Sequence, residues 1–292
     1  MQKAIASSHQ LETSDRLSFK SSRIIHHDDS SGNGFLNSGD TPEKRFQRQL
    51  VVSHFLDLDR DHLRCVSLPG AGWDVERAIF NERPNHRFIG CERDNFTFLK
   101  SQVNMPDGLI SGMKSMKYRR HWLLEDQFKV DVISTNTNVS SLIHFDIADV
   151  IRCSGLEKSI IDISKTGKNK FPISRPFDLF WLDSFSPLGS QNNLSMLQAM
   201  FGASLNRKES HFAITFMIGR DTPQISNLFR ACPGSDSIER RAAFIGLMAT
   251  KHERSIIITK CHRHRSFNRD GQITMGTVLG KIMRSTKTGG TI

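Results

Sequence analysis

The sequence predicts an α/β fold: a doubly wound, mostly parallel sheet that closes in a C-terminal antiparallel β-hairpin. Three observations predict it. The apolar run Val66-Ser67-Leu68 stops in the glycine turn Pro69-Gly70-Ala71-Gly72-Trp73-Asp74, and the next apolar run, Phe88-Ile89-Gly90-Cys91, ends on the carboxylate of Glu92. Short apolar runs then recur, each followed by a stretch with helical spacing, as repeated β-α units require. The last two runs, 255–259 and 272–279, are joined by a polar segment too short for a crossover helix, so their strands must be antiparallel.

Taken in order, residues 1–40 are polar, rich in Ser, His and Asp, and without apolar periodicity; they read as a flexible tail. Thr41-Pro42-Glu43 is a helix start, with Thr as N-cap and Pro in the first turn, and Phe46, Leu50, Val51, Phe55 and Leu58 follow at helical spacing. The first strand covers about 64–68, a helix 75–81, the second strand 87–91 and a further helix 95–103, broken by Met105-Pro106-Asp107-Gly108. Residues of about 105–141 read as an insertion. The third strand is either 130–134 or 141–145; the second is favoured because Leu142-Ile143-His144-Phe145-Asp146 again ends on an acid. A helix over 147–156, a charged loop at 165–169, and a clear fourth strand, Phe177 to Asp183, come next. A turn over 184–189, a helix over 194–205 and a fifth strand over 211–218 follow. A helical region over 223–250 is interrupted at Cys232-Pro233-Gly234, and the hairpin closes a single domain of residues 41–282, with 283–292 a basic tail.

Composition narrows the function. No apolar run is long enough to span a membrane, and the N-terminus has no apolar segment of the signal-peptide kind, so a cytoplasmic protein is expected. Five cysteines without a Cys-x-x-Cys pair argue for reduced thiols rather than a disulfide framework. Cys261-His262-Arg263-His264 lacks a partner cluster to complete a tetrahedral site, so no metal is expected. The formal charge is +10, and it is uneven: residues 251–292 hold nine Lys/Arg against Glu253 and Asp270, a net of +7. Such a surface either attracts a polyanion, nucleic acid first, or only solubilises the chain. A second cluster, Lys114, Lys117, Arg119 and Arg120, interleaves with Tyr118 and Trp122 and reads either as a nucleic-acid contact or as a solvated face. Arg263, Arg265 and Arg269 are the corresponding candidates near the C-terminus.

The glycine turn lets the backbone approach a ligand where a Cβ would collide. An acid at the tip of the next strand can accept hydrogen bonds from both hydroxyls of a ribose. No Gly-x-Ser-x-Gly elbow or phosphate-binding Gly-x-x-x-x-Gly-Lys loop occurs.

These residues resemble the class I S-adenosylmethionine-dependent methyltransferases over about 60–280. The resemblance implies a three-layer αβα sandwich around a seven-stranded sheet whose last strand is antiparallel and inserted between the fifth and sixth. It implies S-adenosylmethionine as cofactor, held by Pro69, Gly70, Ala71, Gly72, Trp73 and Asp74. Glu92 would take the ribose and Asp146 the adenine. Asp183 matches the position that faces the methyl group and substrate, and Phe185 is placed to stack on a base or to pack locally. Asp74 either holds the loop and the amino-acid end of the cofactor or caps the following helix, and Trp73 either lines the pocket or packs beneath the loop. The usual acid before the glycine loop is replaced by Ser67-Leu68-Pro69, and Asp183-Ser184-Phe185-Ser186-Pro187 differs from the Asp-Pro-Pro-Tyr motif of amino-methylating enzymes. A nicotinamide enzyme would prefer a third glycine, where the chain has Val75, and lacks the closing hairpin. The resemblance implies methyl transfer, and the basic charge alone points to nucleic acid as the acceptor. The competing readings are a non-catalytic cofactor- or partner-binding subunit and a methyltransferase of small molecules or proteins.

Overall fold

The computed structural model describes residues 41–106, 110–120, 127–135, 140–153, 160–162, 176–203, 205, 209–268 and 271–284. The tail expected over 1–40, the charged loop at 165–169, Arg269 and the basic residues after 284 lie outside them.

The expected helix start is present. In α1 (Pro42–Leu56) the Thr41 side chain accepts the Lys44 backbone N–H at 3.2 Å, and Pro42 occupies the first turn. The elements that follow are β1 (Arg64–Ser67), α2 (Asp74–Glu82), β2 (Arg87–Cys91), α3 (Asn95–Ser101) with a 3-10 turn over Gln102–Asn104, β3 (Ile110–Arg120), β4 (Gln127–Thr135), β5 (Ser140–His144), α4 (Ile147–Cys153) and β6 (Ile160–Asp162). Then come β7 (Leu179–Pro187), α5 (Gln191–Gly202), β8 (Glu209–Met217), α6 (Pro223–Ala231), α7 (Ser237–Lys251), β9 (Arg254–Asn268) and β10 (Gly271–Arg284).

All the strands form one sheet in the order β6-β3-β4-β5-β2-β1-β7-β8-β10-β9. The run β5-β2-β1-β7-β8 is parallel, and β10 enters antiparallel between β8 and β9. This is the expected doubly wound sheet, with its last strand inserted where the resemblance placed it. Ten strands stand where seven were expected. The additional three, β4, β3 and β6, continue the sheet beyond β5 by antiparallel pairing. The supposed insertion is thus a hairpin built on the sheet edge: both candidates for the third strand are strands, and the one over 140–144 is the parallel one. The closing hairpin is also longer than expected. Residues 260–268, read as loop because they are polar, pair with 271–279, since a ladder needs only backbone groups.

Side chains alternate across the sheet and divide the core in two. On one face Val66, Ile89, Phe180, Leu182 and Phe212 pack with α4, α5 and α7; on the other Cys65, Phe88, Leu179, Trp181 and Leu279 pack with α1, α2 and α3. That is the three-layer sandwich. It leaves the carboxyl ends of β1, β2, β5 and β7 along one edge, the edge where ligands bind in open α/β sheets.

Candidate functional site

The glycine loop joins β1 to α2. Gly70 has φ +56°, a left-handed conformation that glycine adopts without cost, and a Cβ there would meet no described atom within 4 Å. The glycine is therefore demanded by backbone conformation, and the space over it is open to a ligand. The loop is held from below. Asn104 Nδ2 donates to the Ala71 carbonyl at 2.8 Å, and Ser101 Oγ lies 2.6 Å from the Gly70 carbonyl oxygen. Trp73 is wholly buried; its indole N–H donates to the Ser101 carbonyl at 3.0 Å. Trp73 thus packs beneath the loop.

That packing explains Gly90 in the middle of β2. A Cβ at Gly90 would sit 2.4 Å from the Trp73 ring and 2.8 Å from Pro69. Gly90→Ala is expected to overpack this contact, destabilising the fold by about 1–3 kcal/mol and displacing the loop; urea unfolding of the variant measures the first effect, and its affinity for a loop ligand the second.

Asp74 does not cap α2. Trp73 occupies the cap position with φ 54° and no capping hydrogen bond from its side chain, and Asp74 is the first helical residue, 2.9 Å from Arg48 of α1. At the tip of β2, Glu92 Oε1 accepts the Asp94 backbone N–H at 2.8 Å, which orients the carboxylate. Arg93 does not pair with Glu92. It lies 3.7 Å from Asp146, whose other oxygen accepts the Ala148 N–H at 2.8 Å and so opens α4. Glu92 and Asp146, far apart in sequence, thus stand at adjacent strand ends because β2 and β5 are parallel neighbours.

Asp183 lies at the sheet edge two strands from Glu92. The turn expected over 184–189 is instead a continuation of β7 to Pro187, with its register against β8 broken between Asp183 and Pro187. Such an irregularity re-aims side chains at a sheet rim. Burial pushes the Asp183 carboxyl up from the ordinary aspartate range, and the cations of Lys44 and Arg48 pull it back down. Phe185 is 50% exposed, with the Lys44 ammonium 5.1 Å from its ring centre.

Two groups escaped the sequence reading. Glu76, in the first turn of α2, is 1% exposed, and neither carboxylate oxygen completes a hydrogen bond among the described residues. Burial drives its pKa up to about 7; the neighbouring Ser67 hydroxyl favours the charged form, and the nearby charges of Asp74 and Asp183 oppose it. An acid in a first helical turn is ordinary, so nothing in the sequence marked this one. Lys44 and Arg48 were also passed over: they belong to the helix before the first strand, and only tertiary packing brings that helix to Asp74 and Asp183.

The two basic clusters do not form one surface. Lys114, Lys117, Arg119 and Arg120 are on β3, and Arg263 and Arg265 are exposed on β9, eight strand spacings away, or about 38 Å. Among the described residues no group of three His, Cys, Asp or Glu is placed to hold a metal, and no helix is long and apolar enough to cross a membrane.

No family model and no curated relative matches the sequence. Solved structures do. The fold is similar to that of Trm1 from Pyrococcus horikoshii in complex with S-adenosyl-L-methionine, with a TM-score of 0.50 and 11% identity over 82% of this chain and 54% of that one. The chain therefore spans about half of that protein's length. A putative RNA methyltransferase from Pyrococcus horikoshii aligns with a TM-score of 0.45 and 10% identity over 89% of this chain and 90% of its own. A precorrin-6y C5,15-methyltransferase from Geobacter metallireducens GS-15 aligns with a TM-score of 0.41 and 10% identity over 81% and 87%. The likeness to the first is one of fold, and with the inserted antiparallel β10 it establishes the class I methyltransferase fold.

Proposed function

We propose that the chain is an S-adenosylmethionine-dependent methyltransferase acting on nucleic acid. One observation carries the reading: an open left-handed glycine loop, an oriented carboxylate at the next strand tip and a buried carboxylate without a hydrogen-bond partner converge at one sheet edge. The residues fit the cofactor. The space over Gly70 admits it, and Glu76 is a buried carboxyl with no hydrogen-bond partner among the described residues, a group that a ligand ammonium would satisfy. Gly70, Ala71 and Gly72 would line its amino-acid end with Glu76 beneath. Glu92 would hold the ribose hydroxyls and Asp146 the adenine side. Pro69 and Trp73 support the loop, and Asp74, tied to Arg48, fixes its exit.

Bound there, the cofactor would supply a methyl group activated by its sulfonium charge. The protein's part is alignment and proton handling. The loop clamp by Ser101 and Asn104 fixes one reactant, and the wall of α1 fixes the approach of the other. Asp183 accepts the proton that an attacking nitrogen gives up; its partial burial makes it a better base than a solvated carboxylate. The nucleic-acid acceptor is supported by the net charge of +10 and the exposed Phe185 beside Lys44.

Calorimetric titration with S-adenosylmethionine and S-adenosylhomocysteine tests the reading. The wild type is expected to bind both at micromolar concentration. Glu92→Ala removes charge-assisted hydrogen bonds and is expected to weaken binding about ten- to a hundredfold. Absence of binding by folded wild type would overturn the proposal.

A further inference from the structure

We propose that the first turn of α1, the tip of β7 and the stretch of β9 around His262 form one docking surface for a single-stranded polynucleotide, leading it to Asp183. The inference rests on the functional reading above and names how the acceptor is held.

The three segments meet at the ligand edge of the sheet. His264 pairs with Met275, which pairs with Met217, the last residue of β8. Residues of β9 beyond His264 therefore project past the end of the parallel strands. On the face toward α1, the His262 ring stacks on His264 with centroids 5.6 Å apart, and Phe46 stands edge-on to His262 at 5.2 Å. Phe46 is itself 48% exposed. On the opposite face of the same strand Arg263 and Arg265 are exposed. Lys44, in the first turn of α1, holds its ammonium over the half-exposed Phe185 and makes no ion pair among the described residues.

This combination suits one kind of ligand. A half-exposed aromatic face beneath an ammonium offers a stacking platform next to a phosphate partner. A base stacked on Phe185 displaces Lys44 from the ring toward the adjoining phosphate. Arg48 neutralises Asp74, leaving Glu43 as the acid of this turn; Arg263 and Arg265, on the other face of β9, lie outside this surface. A duplex hides its base faces in its own stack, so only an unpaired strand can use the platform. The cluster on β3 is too distant to share it.

The test is fluorescence anisotropy of the full chain with a short labelled oligonucleotide, in RNA and DNA form, single-stranded and as duplex, over a range of salt. Single strands are expected to bind more tightly than duplex. A preference between the RNA and DNA arms identifies the natural strand. Phe185→Ala and the bulk-preserving Phe185→Leu are both expected to weaken single-strand binding about five- to a hundredfold, with the salt slope unchanged. Lys44→Gln is expected to reduce the log–log salt slope by about 0.7. Lys251→Gln makes the same charge change at the exposed C-terminal end of α7, just before the start of β9 and so at the other end of that strand from His262, and is expected to change neither quantity. Equal affinity for duplex, unaltered binding in both Phe185 variants, or equal effects of Lys44→Gln and Lys251→Gln would overturn the surface. Cofactor titration separates the two proposals. Lost strand binding in the Phe185 variants with no cofactor binding retains the surface and removes methyl transfer; cofactor binding with unchanged strand binding does the reverse.

Discussion

Asp183→Asn is expected to lower turnover about a hundred- to ten-thousandfold while leaving affinity for S-adenosylmethionine nearly unchanged. The substitution keeps the size and hydrogen-bonding shape of the side chain and removes its capacity to take a proton. The carboxyl sits where β7 breaks register with β8, between the cations of Lys44 and Arg48 and the buried acid Glu76. Single-turnover kinetics with a nucleic-acid acceptor, paired with calorimetry, separates the two quantities. Loss of cofactor affinity along with turnover would make Asp183 a binding group. Unchanged turnover would remove it from the chemistry and favour a subunit that binds without catalysing.

Acidification is expected to destabilise the fold steeply between about pH 6.5 and 4. His54, His86 and His264 are buried, and desolvation lowers the pKa of each to about 4. The unfolded chain therefore binds protons at these positions that the folded chain refuses. Their contribution is complete above the ordinary histidine range and is lost as pH falls to about 4, on the order of 3 kcal/mol for each imidazole. The pair at the end of α1 shows the cause. His54 stacks on His211 at 4.8 Å, its Nε2 lies 3.1 Å from the Gly280 carbonyl, and His211 Nε2 has no hydrogen-bond partner, so protonation would bury an unsatisfied N–H beside a second ring. Glu76 acts in the opposite sense. Its raised pKa gives stability that is complete below the ordinary glutamate range and lost as pH rises through about 7, so one carboxyl offsets part of what three imidazoles lose. Urea midpoints measured from pH 7.5 to 4.5 check the balance. His54→Asn should flatten the acid limb, and Glu76→Gln should raise stability at the alkaline end. A midpoint insensitive to pH would contradict the burial of these rings as uncharged groups.

What was legible in the sequence followed from local pattern. The glycine turn between two apolar runs, the acids at the strand ends of Glu92, Asp146 and Asp183, and the paired runs at the C-terminus are short-range signals, and each lies at the sheet edge or in the hairpin that its local pattern indicated. The parallel order β5-β2-β1-β7-β8 follows from β-α alternation, because parallel neighbours need a crossover. Where the sequence misled, backbone pairing overrode side-chain character. Residues 110–120 and 260–268 are too polar to read as strand, yet they complete ladders whose hydrogen bonds ignore side-chain polarity.

Tertiary structure alone decided the rest. Trp73 fills the space that Gly90 leaves, so it supports the loop from beneath. Glu76 is a surface-type residue by sequence and, by packing, a buried acid without a hydrogen-bond partner among the described residues. Lys44 and Arg48 become neighbours of Asp183 because α1 lies across the sheet, and the two basic clusters fall on opposite edges because seven strands separate β3 from β9. Local sequence sets which residues end a strand or turn on glycine; burial, charge proximity and the meeting of distant segments depend on the sum of long-range contacts, which no local pattern encodes.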